Sequence, residues 1–255
     1  LMRKILLVLI IFALSITNIA AQLNGNGYYR VQNNDTKRYV YIVDNKGSVN
    51  TSTGSIDMRA LSLWKDFEKA PSDPATIIEI RNFSGSEYDL YAQNTSTYDI
   101  TGGYHVKIRD NKDGTYMASG TAYGISMFLA DTEKSSSPDG FMGNGTSSDR
   151  KWRIIPVNQN DDKYFGVKSE IKFNNSYYTT MYANFPFSTT STNTKVYTIC
   201  GVRDNIAIIR EEHGDIAAGT PVIFKCISEK PIDNKLDIHY STAKTITDNC
   251  LSGTY

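Results

Sequence analysis

The feature that most restricts how this chain folds is a unit that recurs through its first two thirds. It consists of an alternating strand, a short turn of Asn, Asp, Gly or Ser, and a second strand starting at or near tyrosine. Four copies align: YYRVQNNDTKRYVYIVD from Tyr28, TIIEIRNFSGSEYDLYA from Thr76, YHVKIRDNKDGTYMAS from Tyr104 and KWRIIPVNQNDDKYFGV from Lys151. Apolar residues two apart, such as Val106 and Ile108, put one face of each strand toward a core, so each copy predicts a β-hairpin. The turns at Asn33-Asn34-Asp35, Ser84-Gly85-Ser86, Asn111–Gly114 and Asn160-Asp161-Asp162 use residues that tolerate left-handed backbone or cap it with side-chain oxygens. Seventeen tyrosines among 255 residues suit strands better than helices.

Between the first two copies the spacing predicts one helix, from about Ile56 to Ala70. Ser55 would cap it, Met58, Leu61, Trp64 and Phe67 would form an apolar stripe, and Pro71 would follow its end. Such a stripe serves either as a plug for one end of a sheet domain or as a lid or partner surface. Thr132 to Arg150, rich in Ser, Gly and Asp, predicts a long surface loop. Residues 173–195 change texture: Tyr177, Tyr178, Tyr182, Phe185 and Phe187 crowd among Asn and Thr before the polar STTSTNT. That cluster suits core packing, an interface between domains, or an exposed sugar platform. VYTIC, IAIIR, PVIFKCI and LDIHY then predict a small antiparallel unit from Val196 to Tyr240, with a turn at Asp204-Asn205. Ser241 to Tyr255 has no defensible period.

At the N-terminus Arg3 and Lys4 precede an apolar run, Ile5 to Leu14, and a polar stretch ending at Ala20-Ala21, the order of an export signal. The run is about ten residues, against the roughly 20 of a membrane-spanning helix. Cleavage is expected between Ala21 and Gln22, with an uncleaved anchor as the alternative. The expected location is thus secreted or cell-surface, with no membrane span after the signal is removed. Losing Arg3 and Lys4 leaves 25 of the 27 basic residues against 27 acidic ones, a net charge of −2. This near-neutral balance, without a basic stripe, argues against nucleic acid as a partner. In an oxidising compartment Cys200 and Cys226, both in predicted strands, are candidates for a disulfide; unpaired thiols are the alternative, and Cys250 is left over. Leu1 ahead of Met2, and the end at Tyr255, read as an excerpt of a longer product, leaving room for a catalytic or sorting domain beyond.

The chain announces no chemistry of its own. His105, His213 and His239 lie in no nucleophile or zinc motif, so no catalytic residue, metal or cofactor is expected, although carboxylate pairs that converge only in space escape this reading. Asp110 to Gly114 lacks the ligand spacing of a calcium loop and reads as a turn.

The strand, polar turn and Tyr-led strand of GYYRVQNNDTKRYVYIVD, together with GTYMASG and KWRIIPV, resemble β-trefoil domains of the ricin-type lectin kind over about Gly27 to Lys172. Trp152 would be the aromatic that closes a repeat. VYTICGVRDNIAIIREEHGDIAAGTPVIFKC resembles a small β module of secreted Bacteroidetes proteins. The expected fold is therefore all-β: a signal (1–21), a β-trefoil-like domain with one inserted helix (22–172), a connecting segment (173–195) and a small antiparallel β domain (196–255). An irregular β-sandwich or another barrel is the alternative. The resemblance implies a carbohydrate-binding module, with a glycan or surface polysaccharide as partner, and by position places sugar contacts at Asp44, Asn45, Gln93 and Asn94. These four also suit plain turn-building. The non-catalytic part of a secreted hydrolase or protease, or a structural or protein-binding surface component, are the other readings.

Overall fold

A computed structural model describes residues 23, 25–51, 54–64, 71–91, 105–122, 125–131, 141–142 and 148–253. The expected export signal lies outside them. The described residues are all-β. The strands are β1 (Gly27–Asn33), β2 (Tyr39–Thr51), β3 (Gly54–Trp64), β4 (Ile78–Ser84), β5 (Glu87–Tyr91), β6 (Val106–Asp110), β7 (Tyr116–Ala122), β8 (Ile125–Leu129) and β9 (Phe141–Met142). There follow β10 (Trp152–Pro156), β11 (Phe165–Gly166), β12 (Ile171–Phe173), β13 (Ser176–Met181), β14 (Phe187–Thr189), β15 (Lys195–Arg203), β16 (Ile206–Glu212), β17 (Val222–Cys226) and β18 (Lys235–Ile238).

Six of these strands close on themselves. β1 pairs with β4, β4 with β5, β5 with β6, β6 with β7, β7 with β10, and β10 returns to β1, all antiparallel. Closure removes the free edges that an open sheet would present. Alternation then sorts the side chains: Val31, Ile78, Ile80, Leu90, Val106, Ile108, Trp152 and Ile154 fill the interior. Trp152 pairs with Asn33 on one side and Tyr116 on the other, and its indole N–H donates to the Leu129 carbonyl at 2.9 Å. Between β1 and β4 the chain leaves the barrel as the β2–β3 hairpin, and between β7 and β10 as the β8–β9 pair.

Three of the four hairpin copies keep their form, at β1–β2, β4–β5 and β6–β7. The fourth does not. β10 pairs with β1 and β7, while β11 pairs with β18, so KWRIIPVNQNDDKYFGV spans the exit from the barrel.

The expected helix is also corrected. Gly54–Trp64 is strand β3, paired with β2 from Thr51↔Gly54 to Tyr39↔Trp64. The three-residue recurrence of Met58, Leu61 and Trp64 coexists with a period of two through Ile56, Met58 and Ala60, and pairing with the long neighbour decides between them. Residues 65–70, and most of the loop expected from Thr132 to Arg150, lie outside the described residues.

The rest of the chain forms a three-stranded sheet, β11-β18-β14, and a five-stranded sheet, β12-β13-β17-β15-β16. Residues 173–195, expected to connect, thus supply β13 and β14 to these sheets. Asn174-Asn175 (φ 45° and 58°) and Asp204-Asn205 (φ 51° and 62°) make the left-handed turns of two-residue hairpins. Val222, Phe224 and Cys226 alternate inward from β17 and meet Phe165, Phe185, Phe187 and Leu236 in a second core. The aromatic cluster of 177–187 therefore serves packing, with Phe185 and Phe187 fully buried.

Arg30 ties the two cores together. Its position on β1 points it out of the barrel, where the C-terminal sheets cover it; Nη1 and Nη2 donate to the carbonyls of Lys163 and Tyr164 at 3.2 and 3.1 Å. Burial lowers this guanidinium's pKa to about 10.

Candidate functional site

Because Ile78 and Ile80 turn inward from β4, Glu79 and Arg81 turn outward, and Phe83 follows them at a β-bulge between Asn82 and Ser84. A bulge adds a residue to one strand and re-aims a side chain; Phe83 is accordingly 56% exposed. The neighbouring strand presents Tyr91 opposite Glu79 and Asp89 opposite Arg81. His105, just ahead of β6, completes the surface.

These residues form a continuous strip. Glu79 receives two hydrogen bonds from Arg81, at 2.6 and 2.9 Å, and the Arg81 guanidinium lies 4.3 Å from the centre of the Tyr91 ring. The Tyr91 hydroxyl lies 3.4 Å from Asp89 Oδ2, while Asp89 Oδ1 is 2.6 Å from His105 Nδ1. Phe83 stacks on the His105 ring with centroids 3.6 Å apart and planes 13° apart. At the other end Tyr240 packs on Tyr28 at 5.1 Å and interacts with both Glu79 and Arg81. Burial, and then the Glu79 charge, push the phenol pKa values of Tyr28 and Tyr240 well above the ordinary tyrosine range. Both hydroxyls stay protonated donors at every physiological pH.

The strip offers a ring face at Phe83, a second exposed aromatic at Tyr240, carboxylate acceptors and fixed donors, all held by neighbours. That set suits a ligand carrying C–H faces and hydroxyl groups. His105 and His239 both face carboxylates. His105 faces Asp89; His239 lies between Asp215 (3.2 Å) and Asp237 (3.7 Å), and Ser241 donates to Asp215 at 2.7 Å rather than to His239. The DNKDG segment is spent on its own turn, with Asp110 accepting from the Lys112 amide at 2.7 Å and Asp113 from the Thr115 amide at 3.0 Å.

Of the four residues singled out from the sequence, Asp44 and Asn45 lie in β2 where its register against β3 shifts, between Ile42 and Lys46. Gln93 and Asn94 lie outside the described residues. The sequence signals this strip only faintly: in TIIEIRNF the outward series is Glu79, Arg81, then an aromatic where a polar residue is expected. Cys200 and Cys226 are both unbonded. β15 and β17 pair at Lys195↔Lys225 and Val196↔Phe224, which sets Cys226 level with Thr194, six positions from Cys200. That is about 20 Å along a strand, far beyond the reach of a disulfide.

No protein-family model, curated protein or solved structure matches the chain.

Proposed function

We propose that this protein is an exported carbohydrate-binding module, secreted or held at the cell surface, and that the strip from Tyr240 to Phe83 is its glycan-contact surface. The single observation that carries the reading is Phe83, presented outward by a bulge and flanked by the Asp89–His105 pair. Sugars are held by ring faces against C–H patches together with carboxylates that accept from paired hydroxyls.

We further propose that the barrel is a β-trefoil. Support comes from its connectivity: barrel strands come in the consecutive pairs β1/β4, β5/β6 and β7/β10, with an excursion through β2–β3 within the first pair and through β8–β9 within the third. Three such units give the six-stranded barrel, which reconciles four recognisable turns with three repeats. In this reading Asp44 and Asn45 belong to the first excursion, and Gln93 and Asn94 fall in sequence between β5 and β6.

A glycan array and polysaccharide pull-down on residues Gln22 to Tyr255 test the function. Retention on a defined glycan that falls about tenfold in F83A, the loss of one aromatic contact of about 1–1.5 kcal/mol, supports the reading. No retention on any glycan refutes it.

A protein-binding role is the second reading, favoured by Val202, Ile206, Ile208 and Ile209 standing exposed at the β15–β16 hairpin, whose β16 is an edge strand. Concentration-dependent association abolished by I208K would support it.

A further inference from the structure

The last described residues do not trail away from the protein; they cross the end of the five-stranded sheet. Asp248 receives two hydrogen bonds from Arg210, at 2.6 and 2.9 Å, and Asn249 donates to the Pro221 carbonyl at 2.7 Å. The Cys250 amide donates to the Ile199 carbonyl at 2.6 Å. Gly253 then lies so close to Tyr182 that a Cβ there would collide with the ring. Each anchor lands on a different strand or strand end of the sheet.

The Cys250 contact has a chemical consequence. Ile199 O is fixed to Cys200 through one peptide unit, so standard peptide dimensions hold the Cα atoms of Cys200 and Cys250 within about 7 Å of each other. Disulfides span roughly 4.4–6.8 Å between Cα atoms. Cys200 is also the extra residue of a bulge, lying between the pairs Ile199↔Ile209 and Gly201↔Ile208. Its Sγ is held only by a weak contact to the Ile208 carbonyl at 3.4 Å, which a rotation about χ1 releases. Cys200 is half-buried and Cys250 exposed, so a reagent can reach the pair.

We propose that Cys200 and Cys250 form a disulfide that fastens the C-terminal tail across the five-stranded sheet. The oxidant is an external disulfide, small-molecule or protein. The Cys250 thiolate attacks it, giving a mixed disulfide and one released thiol. The Cys200 thiolate then attacks the Cys250 sulfur and expels the second thiol. Two protons leave the cysteines, one bond forms between them, and the oxidant takes up the two electrons. Cys226 stays out of the exchange: it is buried on β17, and burial pushes its thiol pKa up to about 11, keeping it protonated.

The test is to equilibrate the chain with oxidised glutathione, block free thiols in denaturant, digest without reduction and weigh the peptides. The expected product joins the peptides of Cys200 and Cys250, two hydrogens lighter than their sum, with Cys226 alkylated. In C200S that product disappears and glutathione remains on Cys250; in C226S it persists. Three alkylated cysteines after oxidation, or a bridge that includes Cys226, overturns the proposal. This outcome is independent of any glycan result.

Discussion

Asn234 is fully buried, and its side chain is a hub for the turn between β17 and β18. Oδ1 accepts from the Ile227 amide at 2.7 Å, while Nδ2 lies within donating distance of the carbonyls of Val167, Ser228 and Lys230 at 3.0, 2.9 and 3.0 Å. Asn234→Ala leaves one buried N–H and a group of carbonyls without their partner. At about 1–3 kcal/mol for an unmet buried group, the expected loss is about 3–5 kcal/mol. Asn234→Asp keeps the shape but sets an acceptor oxygen against three acceptors. The carboxyl's folded pKa then rises above the unfolded value of about 3.9, because burial and carbonyl neighbours oppose its charge. A raised acid pKa means that the folded state binds the proton more tightly. Stability is therefore greatest below about pH 4 and falls as pH climbs through the folded pKa, by about 1.4 kcal/mol for each unit of elevation. Urea unfolding followed by tryptophan fluorescence at pH 4 and pH 7 measures this. The reasoning fails if Asn234→Asp lies within about 1 kcal/mol of wild type at pH 7, or if its deficit is the same at both pH values.

Gly166 tests close packing: a Cβ there would collide with the Pro231 carbonyl, so Gly166→Ala should cost at least about 1–3 kcal/mol in the same unfolding assay. Asp131 is buried and accepts from Arg38 Nε at 2.8 Å, with a second Arg38 bond and one from Thr36. Asp131→Ala strands the buried Arg38 charge and should cost about 3–5 kcal/mol, of which a double Arg38→Met/Asp131→Leu variant should recover most. Asp113, beside the Lys151 ammonium and the Thr115 hydroxyl, has its pKa lowered to about 2. A depressed acid pKa adds stability above the unfolded value of about 4, which is lost as pH falls toward 2. Carboxyl NMR titration of wild type and Lys151→Met should show the Asp113 midpoint move upward in the variant.

The strands were legible wherever one face meets a core. Val31, Val106 and Ile108 alternate with polar neighbours, and all three are barrel residues; the Asp204-Asn205 turn was legible from side chains that tolerate positive φ, and the DNKDG turn from Gly114. Two kinds of information were missing. Met58, Leu61 and Trp64 satisfy a helical spacing while Ile56, Met58 and Ala60 in the same segment satisfy a strand alternation, and the arbiter, pairing with a thirteen-residue β2, is not local. Which strands close the barrel is likewise a long-range matter: the segment from Lys151 has the local pattern of a hairpin, yet Trp152 pairs backward to Asn33. The candidate site was hidden for the same reason. Glu79, Asp89 and His105 come from three stretches of chain, and only the β4–β5–β6 register makes one surface of them.

The measurement that bears most directly on the central claim is ring-proton NMR of the aromatic strip during titration with a glycan selected on the array. The account predicts that the Phe83 and His105 ring signals shift in a saturable way, with one midpoint, and that the response is lost in Asp89→Asn. A glycan that binds while those signals stay fixed would contradict the assignment of the strip and direct attention to the excursion carrying Asp44 and Asn45.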